Sequence, residues 1–163
     1  GIHMLKMLKL NNISTIGIDT KTEKFDQCNH NGAEFSVSPL ENDLKNKIND
    51  YTEGKDLDVV IDFVSSKSSL ELGCSILGKG GRLVTLGGSG EQFLANSADM
   101  LVKELELIGS RYCTKQELKE SLDLYARGLI EPLVSVKTDF DGAEGLHDKI
   151  EKGEITGRAG ILI

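Results

Sequence analysis

LDVVIDFV, residues 57–64, is too continuously apolar for a strand that shows one face to water, and it reads as the interior of a parallel sheet covered on both sides. Working downstream, a helix is expected from about Ser66 to Leu77, a glycine turn over 78–81, and a strand over 82–86. After Gly87-Gly88-Ser89-Gly90 come a short apolar pair at Phe93-Leu94, a brief helix over 99–103 and a strand over 105–109. Thr114 with Glu117 forms a capping box for a helix whose Leu118, Leu122 and Tyr125 share one face. Past Pro132, strands over 133–136 and 159–163 flank a helix near 141–152.

Upstream, Leu40, Leu44, Ile48 and Tyr51 fall at i, i+4, i+8 and i+11 after Pro39, the spacing of one helical face. A weak strand over 34–37 precedes them. Ile13 to Ile18 is a β-branched run ending at Asp19, and Thr20 with Glu23 offers a capping box for a helix that Gly32 would stop. Residues 2–10 suit a short helix buried on most of its circumference.

Strands alternating with helices over short connections give an α/β fold, a doubly wound parallel sheet of Rossmann-like type. Ligands of such sheets bind at the carboxyl ends of the strands, which points to Asp19, Val64, residues 86–88 and residues 109–111. The 163 residues suffice for one well-buried core. With 26 acidic against 19 basic residues and a net charge of -7, the chain lacks the basic surplus that binding nucleic-acid phosphates requires. No apolar run approaches the roughly 20 residues of a membrane span, and no signal sequence opens the chain, so a cytoplasmic setting is expected. Cys28, Cys74 and Cys113 are scattered and odd in number, which favours buried thiols over disulfides or thiolate metal sites. His3, His30 and His147 lack metal-ligand spacing.

A dinucleotide site needs a glycine turn at a helix N-terminus for the pyrophosphate and an acidic residue at the next strand's end for the ribose hydroxyls. Asp19 follows Gly1 by 18 residues, close to the separation such sites use. A carboxylate there accepts two hydroxyl protons and repels a 2′-phosphate, so NAD is expected over NADP. On its residue type alone, Asp19 is equally a solvated aspartate at a strand-to-helix turn.

The succession IGIDTKTEK (16–24), NGAEF (31–35), DVVIDFV (58–64), LGKGGRLVTLG (77–87), LVKELELIGS (101–110), GLIEPLVS (128–135) and EKGEITGRAGILI (151–163) resembles, in order and spacing, the coenzyme-domain half of zinc-dependent alcohol and polyol dehydrogenases of the medium-chain family. The resemblance implies that Asp19 and Lys24 take the adenosine ribose and that Val64 and Leu86 lie beside the cofactor's two ends. It puts backbone at Gly87 against the nicotinamide, with the turn Ser110-Arg111 also at the ring. Arg158 would reach the pyrophosphate, and Gly1 would be the last glycine of the phosphate loop, opening the helix over 2–10. Residues 1–132 are then the NAD-binding domain, and 133–163 a segment that in the family returns to the catalytic domain.

The same resemblance implies that the first central strand, the first loop glycines and the zinc ligands are outside this chain, so no catalytic or metal residue is assigned. In the intact enzyme zinc would polarise a small alcohol and NAD would accept its hydride. Two other readings are a zinc-free quinone or enoyl reductase using NADPH, which Asp19 disfavours, and a non-catalytic remnant that binds nucleotide or only oligomerises. Residues 105–109 would form an apolar edge strand joining a homodimer. The bulky pair Arg111-Tyr112 stands where the nicotinamide would approach. The gap left by the missing strand, between 13–18 and 57–64, is expected to be filled by Ala159 to Ile163.

Overall fold

The computed structural model describes residues 1–163, which divide into two compact units, Gly1–Glu41 with Thr114–Ile163 and, separately, Asn42–Cys113. All strand pairing is parallel and falls into three ladders. No helix is long and apolar enough to cross a membrane.

The first unit opens with α1 (Ile2–Leu10), capped by Gly1 without a side-chain bond. Its Leu5 packs with Cys28 and Ala33 in a small core. Burial on most of its circumference is not found: Met7 and Leu10 lie open, and only Leu5 is fully buried. The strand expected over 13–18 is trimmed to β1 (Ile16–Ile18). Left-handed Asn12 and the bond from Ile13 N–H to Leu8 carbonyl still belong to the turn closing α1, so Ile13 is exposed. A 3-10 turn (Thr22–Lys24) and α2 (Phe25–His30) follow. The Thr20/Glu23 box does not form there. Asp19 Oδ1 accepts the Lys21 N–H at 2.9 Å and starts the turn one residue earlier. Gly32, at φ +127°, ends the helix where any Cβ would come within 2.6 Å of the Leu5 carbonyl oxygen. β2 (Phe35–Val37) then pairs with β1, Ile16 opposite Phe35.

The second unit contains α3 (Leu44–Tyr51), β3 (Leu57–Asp62), α4 (Lys67–Ile76), β4 (Leu77–Thr85), α5 (Ser97–Lys103) and β5 (Glu106–Gly109). Leu44 and Ile48 bury the predicted face of α3, whereas Leu40 lies outside the helix and is exposed. The sheet order is β3-β4-β5. Thus the 57–64 run is an edge strand and not an interior one, and Val59 is 47 % exposed. Leu70, Cys74, Leu77 and Leu83 make the core, with Val60, Phe93 and Leu105 against it. Each such burial stabilises by roughly 1.5–3 kcal/mol. Ser66 caps α4 reciprocally with Ser69.

The chain returns to the first unit with α6 (Lys115–Ala126), where the Thr114/Glu117 capping box forms as its sequence predicts. Hydrogen bonds from Thr114 backbone and side chain hold the Glu117 carboxyl below its usual pKa. The face of Leu118, Leu122 and Tyr125 is uncovered, each at least half exposed. β6 (Val134–Thr138), α7 (Ala143–Glu151) and β7 (Arg158–Ile161) form a crossover of their own, β7 pairing only with β6.

The gap-filling role of 159–163 is therefore corrected. β1 pairs only with β2 and β3 only with β4, so each keeps one open edge. β7 instead finds a partner 20-odd residues upstream, across a single helix, where closing the crossover is entropically cheap. Beyond it Leu162 and Ile163 are exposed.

Candidate functional site

In the first unit the end of β1 delivers Asp19, half-buried, with Oδ1 engaged by the Lys21 N–H and Oδ2 open. The N-terminus of α1 carries no acidic residue in its first turn and no side-chain cap, so no capping side chain satisfies its first N–H groups. Arg158 is exposed at the start of β7; its N–H donates to the Leu133 carbonyl at 2.7 Å, while its guanidinium makes no bond or ion pair.

These groups share one electrostatic neighbourhood. Burial lowers the pKa of the Gly1 amino group, Arg158 lowers it further, and Cys28 and Asp19 oppose the shift. Burial, then Asp19, raises the Cys28 thiol, with the Gly1 amine and Lys24 opposing. Gly1 at the start of α1 thus lies within electrostatic reach of Arg158 and Asp19, and Cys28 within reach of Asp19 and Lys24. Such an arrangement can take a ligand with both phosphate and hydroxyl groups.

In the second unit the strand ends present apolar surface: Val64 is 68 % exposed and Leu86 39 %. Gly87 lies so near the preceding strand end that a Cβ would meet the Val64 carbonyl oxygen at 2.7 Å. The Ser110 N–H donates to the Thr85 carbonyl at 2.9 Å and extends the β4–β5 ladder by a residue. Arg111 stacks on Tyr112, 4.3 Å from guanidinium to ring centre, and donates to its hydroxyl. The bulky pair therefore folds onto itself, with Tyr112 left-handed at φ +60° and 85 % exposed.

Two residues that hold the candidate turns in place have no role in the sequence reading. Lys21 Nζ donates to the Gly153 carbonyl at 2.8 Å, and to that of Lys152 at 3.5 Å, tying the Asp19 turn to the C-terminal end of α7. A lone lysine gives no signal for this. Asp62 is buried and bonded to the turn at residues 64–65. Its signal was legible, since a carboxylate within an apolar run must find donors.

A family model described as zinc-binding dehydrogenase matches residues 1–127. The chain belongs to the zinc-binding dehydrogenase family. An NAD-dependent alcohol dehydrogenase of Sulfurisphaera tokodaii is 25 % identical over 88 % of this chain and 41 % of its own length. A D-arabinose 1-dehydrogenase (NADP(+)) of Saccharolobus solfataricus is 26 % identical over 96 % of the chain and 44 % of its own length. Among solved structures, the alcohol dehydrogenase of Aeropyrum pernix superposes with a TM-score of 0.87 at 27 % identity, over 98 % of this chain and 47 % of that one. The chain thus spans less than half the length of these relatives, and the doubly wound α/β fold of medium-chain dehydrogenases is shown. Despite the family's description, this chain has no group of three or more His, Cys, Asp or Glu side chains placed to hold a metal ion. Cys28 and Cys74 are buried free thiols and Cys113 an exposed one, so its residues do not fit a zinc site.

Proposed function

We propose that this chain is the nicotinamide-dinucleotide-binding part of a zinc-dependent alcohol or polyol dehydrogenase, and that it favours NAD(H) over NADP(H). The observations that carry the reading are the open Oδ2 of Asp19 and the unpaired guanidinium of Arg158, both within electrostatic reach of Gly1 at the start of α1. Asp19 and Lys24 take the adenosine ribose, Arg158 and the α1 N–H groups from Gly1 onward take the pyrophosphate, and Val64, Leu86, Gly87, Ser110 and Arg111 receive the base and nicotinamide ends. When bound, the nicotinamide supplies hydride acceptance; these residues bind and orient it. Zinc and the small alcohol belong to the other half of the intact enzyme, to which residues 133–163 return, residues 1–132 being the nucleotide domain.

Lys21, the cation nearest Asp19 in sequence, has its amine engaged by the carbonyls of Gly153 and Lys152, and the Asp19 carboxylate opposes a 2′-phosphate on the ribose. NADH titrated by fluorescence against the purified chain should bind about tenfold or more tightly than NADPH, and Asp19→Gly should narrow the difference. Equal affinities in the unmodified chain would remove Asp19 as the selecting residue. The NADP(+)-named relative makes the second titration necessary.

The chain by itself should carry no stoichiometric zinc and oxidise no alcohol; elemental analysis finding one tightly held zinc per chain refutes this. We further propose a homodimer joined at β5, whose outer edge is unpaired and whose Leu107 and Ile108 are exposed. Sedimentation that stays monomeric at high concentration counts against it. A cytoplasmic setting fits the three unpaired thiols.

A further inference from the structure

Asp62 closes β3 at 7 % exposure, and every acceptor it offers is used inside the second unit. Oδ1 accepts the N–H groups of Val64 at 2.8 Å and Ser65 at 2.9 Å, and Oδ2 accepts the Ser69 hydroxyl at 2.7 Å. Its backbone carbonyl accepts the Leu86 N–H at 2.9 Å. One residue therefore holds the turn after β3, the first turn of α4 and the end of β4.

The turn it holds needs holding. Ser65 is buried and left-handed at φ +56°, a conformation that a side chain with a Cβ adopts only under constraint. Its hydroxyl bonds to that of Thr85, and the Ser89 hydroxyl donates to its carbonyl. Gly87 meets the same turn backbone to backbone, so any displacement of Val64 is passed to it.

We propose that Asp62 is a positioning residue: it never touches the ligand, and it fixes the Val64 turn and Gly87 as the rigid apolar wall on which the dinucleotide rests. The alternative is that Asp62 only stabilises its unit, and the two make different predictions for conservative replacement. Asp62→Asn keeps Oδ1 for both N–H groups and can donate to the Ser69 hydroxyl from its amide, whereas Asp62→Ala orphans all three donors.

The inference rests on the nucleotide reading above, so two readouts are needed on the full chain. The first is NADH affinity, taken well below each variant's melting temperature. The second is hydrogen exchange at the Val64 and Ser65 amides. Asp62→Ala should lose about tenfold or more in affinity and exchange faster at both amides, while Asp62→Asn stays within about threefold on each. A folded Asp62→Ala chain that binds NADH like the unmodified one, or an Asp62→Asn chain as impaired as Asp62→Ala, overturns the proposal. Should the unmodified chain bind no NADH, the nucleotide reading fails, and exchange alone decides: unchanged protection in Asp62→Ala overturns the positioning role. If Asp62→Ala does not fold, Ser69→Ala replaces it, with a loss of about three- to fivefold expected and no loss overturning the proposal.

Discussion

The two units present their candidate binding residues by opposite means, each within itself. In Gly1–Glu41 with Thr114–Ile163, the groups brought together are charged and only lightly held: an open carboxylate oxygen on Asp19, a free guanidinium on Arg158 and an uncapped helix end. In Asn42–Cys113, the candidate surface is apolar and its side chains contribute little but shape, while a buried polar cluster under Asp62 fixes the backbone. Recognition of charge tolerates a mobile side chain, because Coulombic attraction falls off slowly with distance. Recognition by contact does not, because dispersion is forfeited within a fraction of an ångström. Rigidity is accordingly concentrated where contact is required.

The comparison can be broken most easily in the cores. Leu83→Ala should cost about 3–5 kcal/mol in urea denaturation, and Leu5→Ala in the smaller cluster about 2–3 kcal/mol, since fewer neighbours line the cavity. Leu118→Ala, on the exposed face of α6, should stay within about 0.5 kcal/mol. A Leu5 effect equal to that of Leu83 would mean that the first unit is as tightly packed as the second.

Next in size is Gly157→Ala. Gly157 has φ +90°, and a Cβ there would lie 2.5 Å from the Leu133 carbonyl oxygen. A loss of about 1–3 kcal/mol is expected, read as a drop in melting temperature. Lys21→Met should cost about 1 kcal/mol by removing the bond to Gly153, and it should leave NADPH affinity unchanged, since the amine is already engaged. A loss of NADPH binding would show that Lys21 also contacts the nucleotide.

The smallest effect concerns pH. Burial, then Arg158, Lys6 and the amino terminus, lowers the His3 pKa from 6.5, and its Nε2 accepts the Leu133 N–H at 3.1 Å. Because the folded value lies below the unfolded one, this contribution is complete above 6.5 and is lost as pH falls through the folded pKa. Melting curves of the unmodified chain and His3→Gln should therefore converge from about pH 7.5 to about pH 5, and parallel curves would exclude His3 as the cause.

Much of this was legible in the sequence because it rests on local chemistry. The helix over 2–10, the Thr114/Glu117 box and the Gly32 stop each depend on residues within a turn of one another, and each appears as read. What failed depended on competition or on distant partners. Thr20 and Glu23 had the spacing of a cap, but the Asp19 carboxylate reached the backbone first. LDVVIDFV had the composition of an interior strand, yet its burial is decided by which strands exist to flank it, and only β4 does. For the same reason the 159–163 strand found β6 and filled no gap. Among the candidate site residues, Asp19 stands at the strand end where its sequence places it. The role of Lys21 lay in bonds that no pattern of residue types announces, whereas Asp62, a carboxylate within an apolar run, gave a signal that was not followed.

The bonds from His3 to Leu133 and from Lys21 to Gly153 join residues 130 and 132 positions apart. Every strand pairing, by contrast, brings together near neighbours, such as Ile16 with Phe35 or Leu83 with Leu107. Closing the longer loops costs about 1.6 kcal/mol more in chain entropy than closing a strand crossover. On a ribosome, the ladders of the second unit can assemble while the rest of the chain is still being made. The first unit has less of that freedom: Leu5 can pack on Cys28 and Ala33 early, but the bonds of His3 and Lys21 must wait until more than a hundred further residues have emerged, and that interval is when the nascent chain is most exposed to aggregation and to chaperone capture.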